Sequence, residues 1–90
     1  MLNKIKLALR ISNSVYDDEI TDLINACKKD LELAGIASSN IDDNDEMIIQ
    51  AVKLYCKAYF GLGNPDSTKY ASAYEHLKSS LSLTYSSEEE

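Results

Sequence analysis

The sequence predicts an all-α fold: a small bundle of three main helices, a short helix before them and a flexible C-terminal tail. Three observations predict it. Apolar residues recur at spacings of three and four along most of the chain, no run alternates with the period of a strand, and helix-stopping and helix-starting residues fall between the periodic segments. With 90 residues, 44% hydrophobic, 27% charged, three glycines and one proline, the chain reads as one small folded domain over 1–83 followed by a tail over 84–90.

The first helix spans about Leu2 to Leu9. The second spans about Asp17 to Ala34, where Ile20, Leu23, Ile24, Cys27, Leu31 and Ala34 share one face at 100° per residue. Asn13 or Ser14 is expected to cap its start, and Asp17, Asp18 and Glu19 set negative charge at the positive end of the helix dipole. Gly35 supplies a left-handed stop, with Ile36 placed to fold back over the last turn.

The third helix, about Asp45 to Phe60, is apolar round most of its circumference; Gln50, Lys53 and Lys57 make its one polar line. A helix with so wide an apolar arc needs cover on several sides, so it is the central helix or lies against another subunit. Gly61 and Gly63 end the pattern, and Asn64 with Pro65 is expected to restart it, Asn64 as cap and Pro65 at the first helical position. The last helix runs from about Pro65 to Leu83 with Tyr70, Ala73, Tyr74, Leu77 and Leu81 on a narrow stripe. Tyr55/Tyr59 and Tyr70/Tyr74 are expected to stack as rungs between adjacent helices with their hydroxyls at the rim.

Fifteen acidic groups against nine basic ones give a net charge of −6, which speaks against duplex binding as the main activity. Lys4, Lys6 and Arg10 make the first eleven residues +3, leaving −9 for the remainder of that −6 chain. This basic start reads as a solvated helix face in preference to a nucleic-acid or membrane-surface element. No apolar run approaches the roughly 18 residues of a membrane span. Charges interrupt the apolar residues of the N-terminus and no small-residue cleavage site follows, so a cytoplasmic protein without a secretory signal is expected.

Cys27 and Cys56 lack the neighbours of a zinc site and read as reduced core thiols ahead of a disulfide, while His76 has no catalytic partner pattern. The run Asp42-Asp43-Asn44-Asp45-Glu46 begins like a calcium loop but puts Met47 where glycine and Lys53 where the bidentate glutamate belong, so it reads as a solvated loop capping the next helix. Gly61-Leu62-Gly63 follows no strand and is not a phosphate loop. Adjacent carboxylates such as Asp17/Asp18 lack the burial that tunes a general acid. A non-enzymatic protein with no metal and no cofactor is therefore expected, in a binding or structural role.

The order of segments resembles the small head-tail connector proteins of tailed bacteriophages and prophages, also described as putative DNA-packaging proteins. The residues that carry it are Ile5-Lys6-Leu7-Ala8-Leu9-Arg10-Ile11, Asp17-Asp18-Glu19-Ile20 with Leu23-Ile24, Asp30-Leu31 with Ala34-Gly35-Ile36, and Ile49-Gln50-Ala51-Val52-Lys53-Leu54-Tyr55. Phe60-Gly61, Asn64-Pro65 and the closing stretch from Tyr74 to Leu83 complete it, so the likeness spans the chain to about Leu83. The resemblance implies a helical subunit that assembles into a ring beneath the portal and joins it to a tail-side connector or stopper protein. Packaged DNA passes through the ring without sequence-specific binding, and no membrane is involved. It also implies a place in the bacterial host cytoplasm during assembly and at the virion neck afterwards.

Two sets of residues follow as expectations. Ile49, Val52, Tyr55, Cys56, Tyr59 and Phe60 on the over-apolar third helix are candidates for subunit contact. Leu83, Tyr85, Glu88, Glu89 and Glu90 of the tail, with Asp42 and Asp43 of the 36–44 loop, are candidates for docking to the portal or tail side. The alternative is a small helical regulatory or nucleic-acid-binding module without catalysis, which should show a basic recognition helix.

Overall fold

Helix α1 (Leu2–Leu9) is followed by α2 (Asp17–Leu33), a single 3-10 turn at Ser38–Asn40, α3 (Glu46–Tyr59) and α4 (Ser67–Thr84) in the computed structural model. The structure describes residues 1–61 and 65–85. All four expected helices are present, with ends shifted by no more than two residues except where noted below.

The helix ends show how local chemistry sets the path. Gly35 lies at φ +99°, and the amides of Gly35 and Ile36 donate to the carbonyls of Glu32 and Leu31 at 2.9 and 3.2 Å, closing α2 as expected. Ile36, 2% exposed, seals that turn from the core side. Asp45 caps α3: its Oδ1 accepts from the amides of Met47 and Ile48 at 2.8 and 3.3 Å. Helix α1 closes with the same geometry as α2, but the left-handed residue is Arg10 at φ 63°, with Ile11 N donating to Lys6 O at 2.9 Å.

Two expected caps are corrected. Asn13 Oδ1 accepts from Val15 N at 3.1 Å and so shapes the turn before α2, whose first turn receives no side-chain cap. Pro65 is not the first helical residue. It lies in a turn two residues before Ser67, the boundary residue is Asp66, and Asn64 lies outside the described residues. An Asx turn and a proline turn satisfy the same local preferences as a cap, so sequence alone does not separate them.

Helix α3 is central. It packs against α1, α2 and α4, and Ile48, Ile49, Ala51, Val52, Cys56 and Ala58 are buried along it. Ile20, Ile24, Cys27 and Leu31 of α2 and Ile5 of α1 complete the core from one side, with Tyr74 and Leu81 of α4 from the other. Of the expected tyrosine rungs one crosses between helices: Tyr55 stands edge-on to Tyr74 with centroids 5.2 Å apart, while Tyr59 tilts against Tyr55 within α3 at 4.8 Å and Tyr70 lies under Lys57.

Candidate assembly surfaces

The six residues expected to contact a second subunit divide in two. Ile49, Val52 and Cys56 are buried by the chain's own helices, and Tyr55 is half-buried against Tyr74. Tyr59, 51% exposed, and Phe60, half-buried and edge-on to Tyr16 at 5.5 Å, reach the surface at the α3 C-terminus. The wide apolar arc is thus largely covered inside one chain, because α1, α2 and α4 each take a side of it. Val52 and Cys56 cannot meet a neighbour without opening the core, where burying one aliphatic side chain contributes about 1.5–3 kcal/mol. Val15 and Tyr16, whose ring meets Phe60, are also exposed.

The docking candidates lie at the other end. Leu83 is 84% exposed on α4. Tyr85 is tied down, where a tail from residue 84 was expected to be free: its carbonyl accepts from Ala37 N at 3.0 Å and Asn40 Nδ2 at 3.3 Å, and its hydroxyl donates to Asp45 Oδ2 at 2.9 Å. Asp45 therefore caps α3 with one oxygen and holds the end of α4 with the other. The Tyr85 hydrogen bond, helped by the two capping amides against a smaller cost of burial, holds the Asp45 carboxyl below its ordinary value; the same bond raises the Tyr85 phenol. Asp42 Oδ1 accepts from Asn44 N at 2.9 Å, and Asp43 pairs with Lys28 of α2 at 2.6 Å. The 36–44 loop is thus a fixed platform, held by α2 on one side and the end of α4 on the other. Glu88, Glu89 and Glu90 lie outside the described residues.

Between α2 and α4 runs a polar tie that sequence reading missed. The hydroxyl of Tyr74, a residue 1% exposed, donates to Asp30 Oδ2 at 2.7 Å and accepts from Cys27 Sγ at 3.7 Å; Lys78 Nζ reaches the same Asp30 oxygen at 2.9 Å and Glu75 at 3.1 Å. The expectation that this hydroxyl sits at a wet rim is corrected: α4 turns it inward to α2. Burial alone would raise the Asp30 carboxyl, but the bonds from Tyr74 and Lys78 outweigh it and hold the group below its ordinary value. Burial, then the bond to Asp30, drives the Tyr74 phenol far up. For Lys78 burial works downward, and its two carboxylate partners overcome it to raise the ammonium. These groups stand 44 to 48 residues apart in the chain, so no spacing rule brings them together.

The basic start is also partly structural. Lys6 Nζ lies 2.7 Å from Asp17 Oδ1, an oxygen cut off from solvent and off the line of a hydrogen bond, so the ion pair is what compensates it. Lys6 is accordingly not part of a solvated face. Lys4 remains exposed and lines a shallow groove with Glu46, Ile49, Gln50 and Lys53 of α3.

Cys27 and Cys56 are free and buried, as expected, and burial pushes both thiols up to about 12. His76 is exposed on α4 beside Ser72, Glu75 and Ser79. Among the described residues no group of three His, Cys, Asp or Glu could hold a metal ion, and no helix is long and apolar enough to cross a membrane.

These side chains fasten helices to one another and present charged and apolar patches at the surface, the anatomy of a small helical structural protein. A family model described as Phage connector protein matches residues 1–88, and the chain belongs to that family, a structural family of the phage virion. No curated protein and no solved structure matches the chain.

Proposed function

We propose that the chain is the portal adaptor of a tailed phage or prophage: a subunit that forms a ring between the portal and a tail-side connector or stopper protein, through which DNA passes during packaging and ejection. The family match over 1–88 carries this reading. Two features of the surface support it. Apolar side chains stand exposed at both ends of the bundle, Val15, Tyr16 and Tyr59 at one and Leu33, Met47 and Leu83 at the other, as a subunit clasped between partners requires. A net charge of −6 suits a conduit that lets DNA slide without holding it.

On this reading the fixed loop 36–44 and the end of α4 form the docking face for the portal or tail side, with residues 86–90 beyond it. Assembly takes place in the bacterial host cytoplasm and the finished ring lies at the virion neck. The regulatory or nucleic-acid-binding alternative finds little support, since the solvent face of α2 carries Asp18, Glu19, Asp22 and Glu32 against Lys29.

The test is co-purification with a phage portal protein, followed by negative-stain imaging. Rings on the portal are expected; a portal preparation that never retains the chain refutes the adaptor reading. Portal binding unchanged by Leu83→Asp and by removal of residues 86–90 would refute the docking face alone.

A further inference from the structure

The domain carries charge of opposite sign on two different sides. On α2, positions 20, 24, 27 and 31 are buried, so helical periodicity turns Asp18, Asp22 and Asn25 outward, and all three are exposed. On α3, Val52 and Cys56 are fully buried in the core they share with Cys27 of α2, while Gln50, a third of a turn or more away round the helix, is exposed. Gln50 therefore points away from that core, and with Lys53, Ile49 and Glu46 of α3 and Lys4 of α1 it lines an open groove of about 220 Å³. Two lysines against one glutamate make the groove basic. The outer face of α2 offers the complement in its N-terminal half, where Asp18 and Asp22 stand exposed; further along the same face come exposed Lys29 and Leu33, the latter 77% exposed.

We infer that the occupant of the α1/α3 groove is the outer face of α2 from a second copy of this chain, with Lys4 and Lys53 of one subunit facing Asp18 and Asp22 of the next. The inference rests on the ring reading above and names its interface. A groove on one side and a ridge on another make the contact heterologous, so each copy uses both surfaces and the assembly closes into a ring or runs on as a filament. Exposed ion pairs are individually weak and screened by salt, so the contact is strengthened by a template that holds neighbours side by side.

Cysteine trapping tests this, because the native thiols are buried. Gln50→Cys and Asn25→Cys proteins are prepared separately and mixed under mild oxidation, both free at high concentration and bound to the portal. The mixture is expected to give a disulfide-linked dimer joining one chain of each kind, and neither protein alone more than a trace. Lys53→Glu in the Gln50→Cys chain is expected to lower the yield about fivefold, as replacing one exposed pair by a like-charge contact implies, and Asp22→Lys in the Asn25→Cys chain to restore it. Raising salt from about 0.1 M to about 1 M, which shortens the screening length from about 10 Å to about 3 Å, lowers it likewise. Dimers of Gln50→Cys alone at equal yield, or no mixed dimer in portal-bound rings seen by microscopy, would overturn the assigned faces while leaving the ring. Failure to see rings on the portal at all would overturn the reading beneath it.

Discussion

Tyr74→Phe isolates one atom of the tie between α2 and α4. The ring keeps its place against Tyr55, while the hydroxyl that donates to Asp30 at 2.7 Å and accepts from Cys27 at 3.7 Å is removed. A hydrogen bond to a charged group contributes about 1.5–3 kcal/mol. The Asp30 side chain is 36% exposed and keeps Lys78, so the lower part of that range applies, about 1.5–2 kcal/mol. For a chain of this size such a loss lowers Tm by about 6–15 °C. The assay is urea unfolding followed by circular dichroism at pH 7, for Tyr74→Phe, Asp30→Asn and the double variant. The cycle should return a coupling of about 1 kcal/mol or more between the two positions. The pH dependence has a definite sign. Asp30 is held below its ordinary 3.8 in the folded chain, so its contribution is complete above 3.8 and is lost as pH falls through the lowered folded value; Lys78, raised above 10.5, contributes fully below 10.5 and loses it as pH rises further. Tyr74→Phe should therefore flatten the acid side of the stability profile. A loss below about 0.5 kcal/mol, or one undiminished in the Asp30→Asn background, would refute the reasoning.

Other outcomes follow from the helix ends and the core. Arg10→Gly should raise stability by about 0.5–1 kcal/mol in denaturant titration, since glycine takes the left-handed position that costs an L-residue about 1–2 kcal/mol and returns part of that as chain entropy. Lys6→Ala should cost about 1–2 kcal/mol by leaving a shielded Asp17 oxygen without its counter-charge, and Asp17→Asn added to it should recover part of the loss. Asp45→Ala should destabilise more than Asp45→Asn in thermal melts, because asparagine keeps an oxygen for the α3 amides; Tyr85→Phe should add little to Asp45→Ala, since that variant has already removed its partner. Cys27 and Cys56, pushed up to about 12, should resist a thiol-specific chromogenic reagent at pH 8 in the folded chain and react fully in denaturant; rapid labelling of either without denaturant would contradict their burial.

What could be read in the sequence was what one helix does by itself. Spacing located all four helices, glycine at 35 announced its left-handed turn, and the acidic run 42–46 announced a cap without singling out Asp45, since each effect acts within about five residues. Arg10 escaped notice because its left-handed turn is imposed by Ile11 and Lys6 closing the end of α1, with no glycine to signal it. The Tyr74–Asp30–Lys78 tie and the pinning of Tyr85 to Ala37, Asn40 and Asp45 escaped for another reason: their partners lie 40 to 48 residues apart, and only the folded arrangement chooses them. The same limit applied to α3. Its apolar girth was legible, but not whether another chain or α1, α2 and α4 supplies the cover.

On the proposed ring reading, that last point changes what kind of subunit contact is expected. Had α3 been left open, a hydrophobic interface would have followed, with an isolated subunit prone to uncontrolled association. With Ile49, Val52 and Cys56 already covered, the outer strip of α3 offers Gln50 and Lys53 beside Lys4, a surface that water solvates well. A subunit of this kind can, on the proposed reading, remain apart in solution and still find its neighbour when held beside it, because opposite charges steer the approach. On the proposed reading, assembly is then governed by the template, and salt should loosen contacts between subunits before it affects the helical body. Comparing the salt dependence of ring integrity with that of thermal unfolding separates the two: loss of both at the same salt concentration would show that the helical body depends on its neighbours after all.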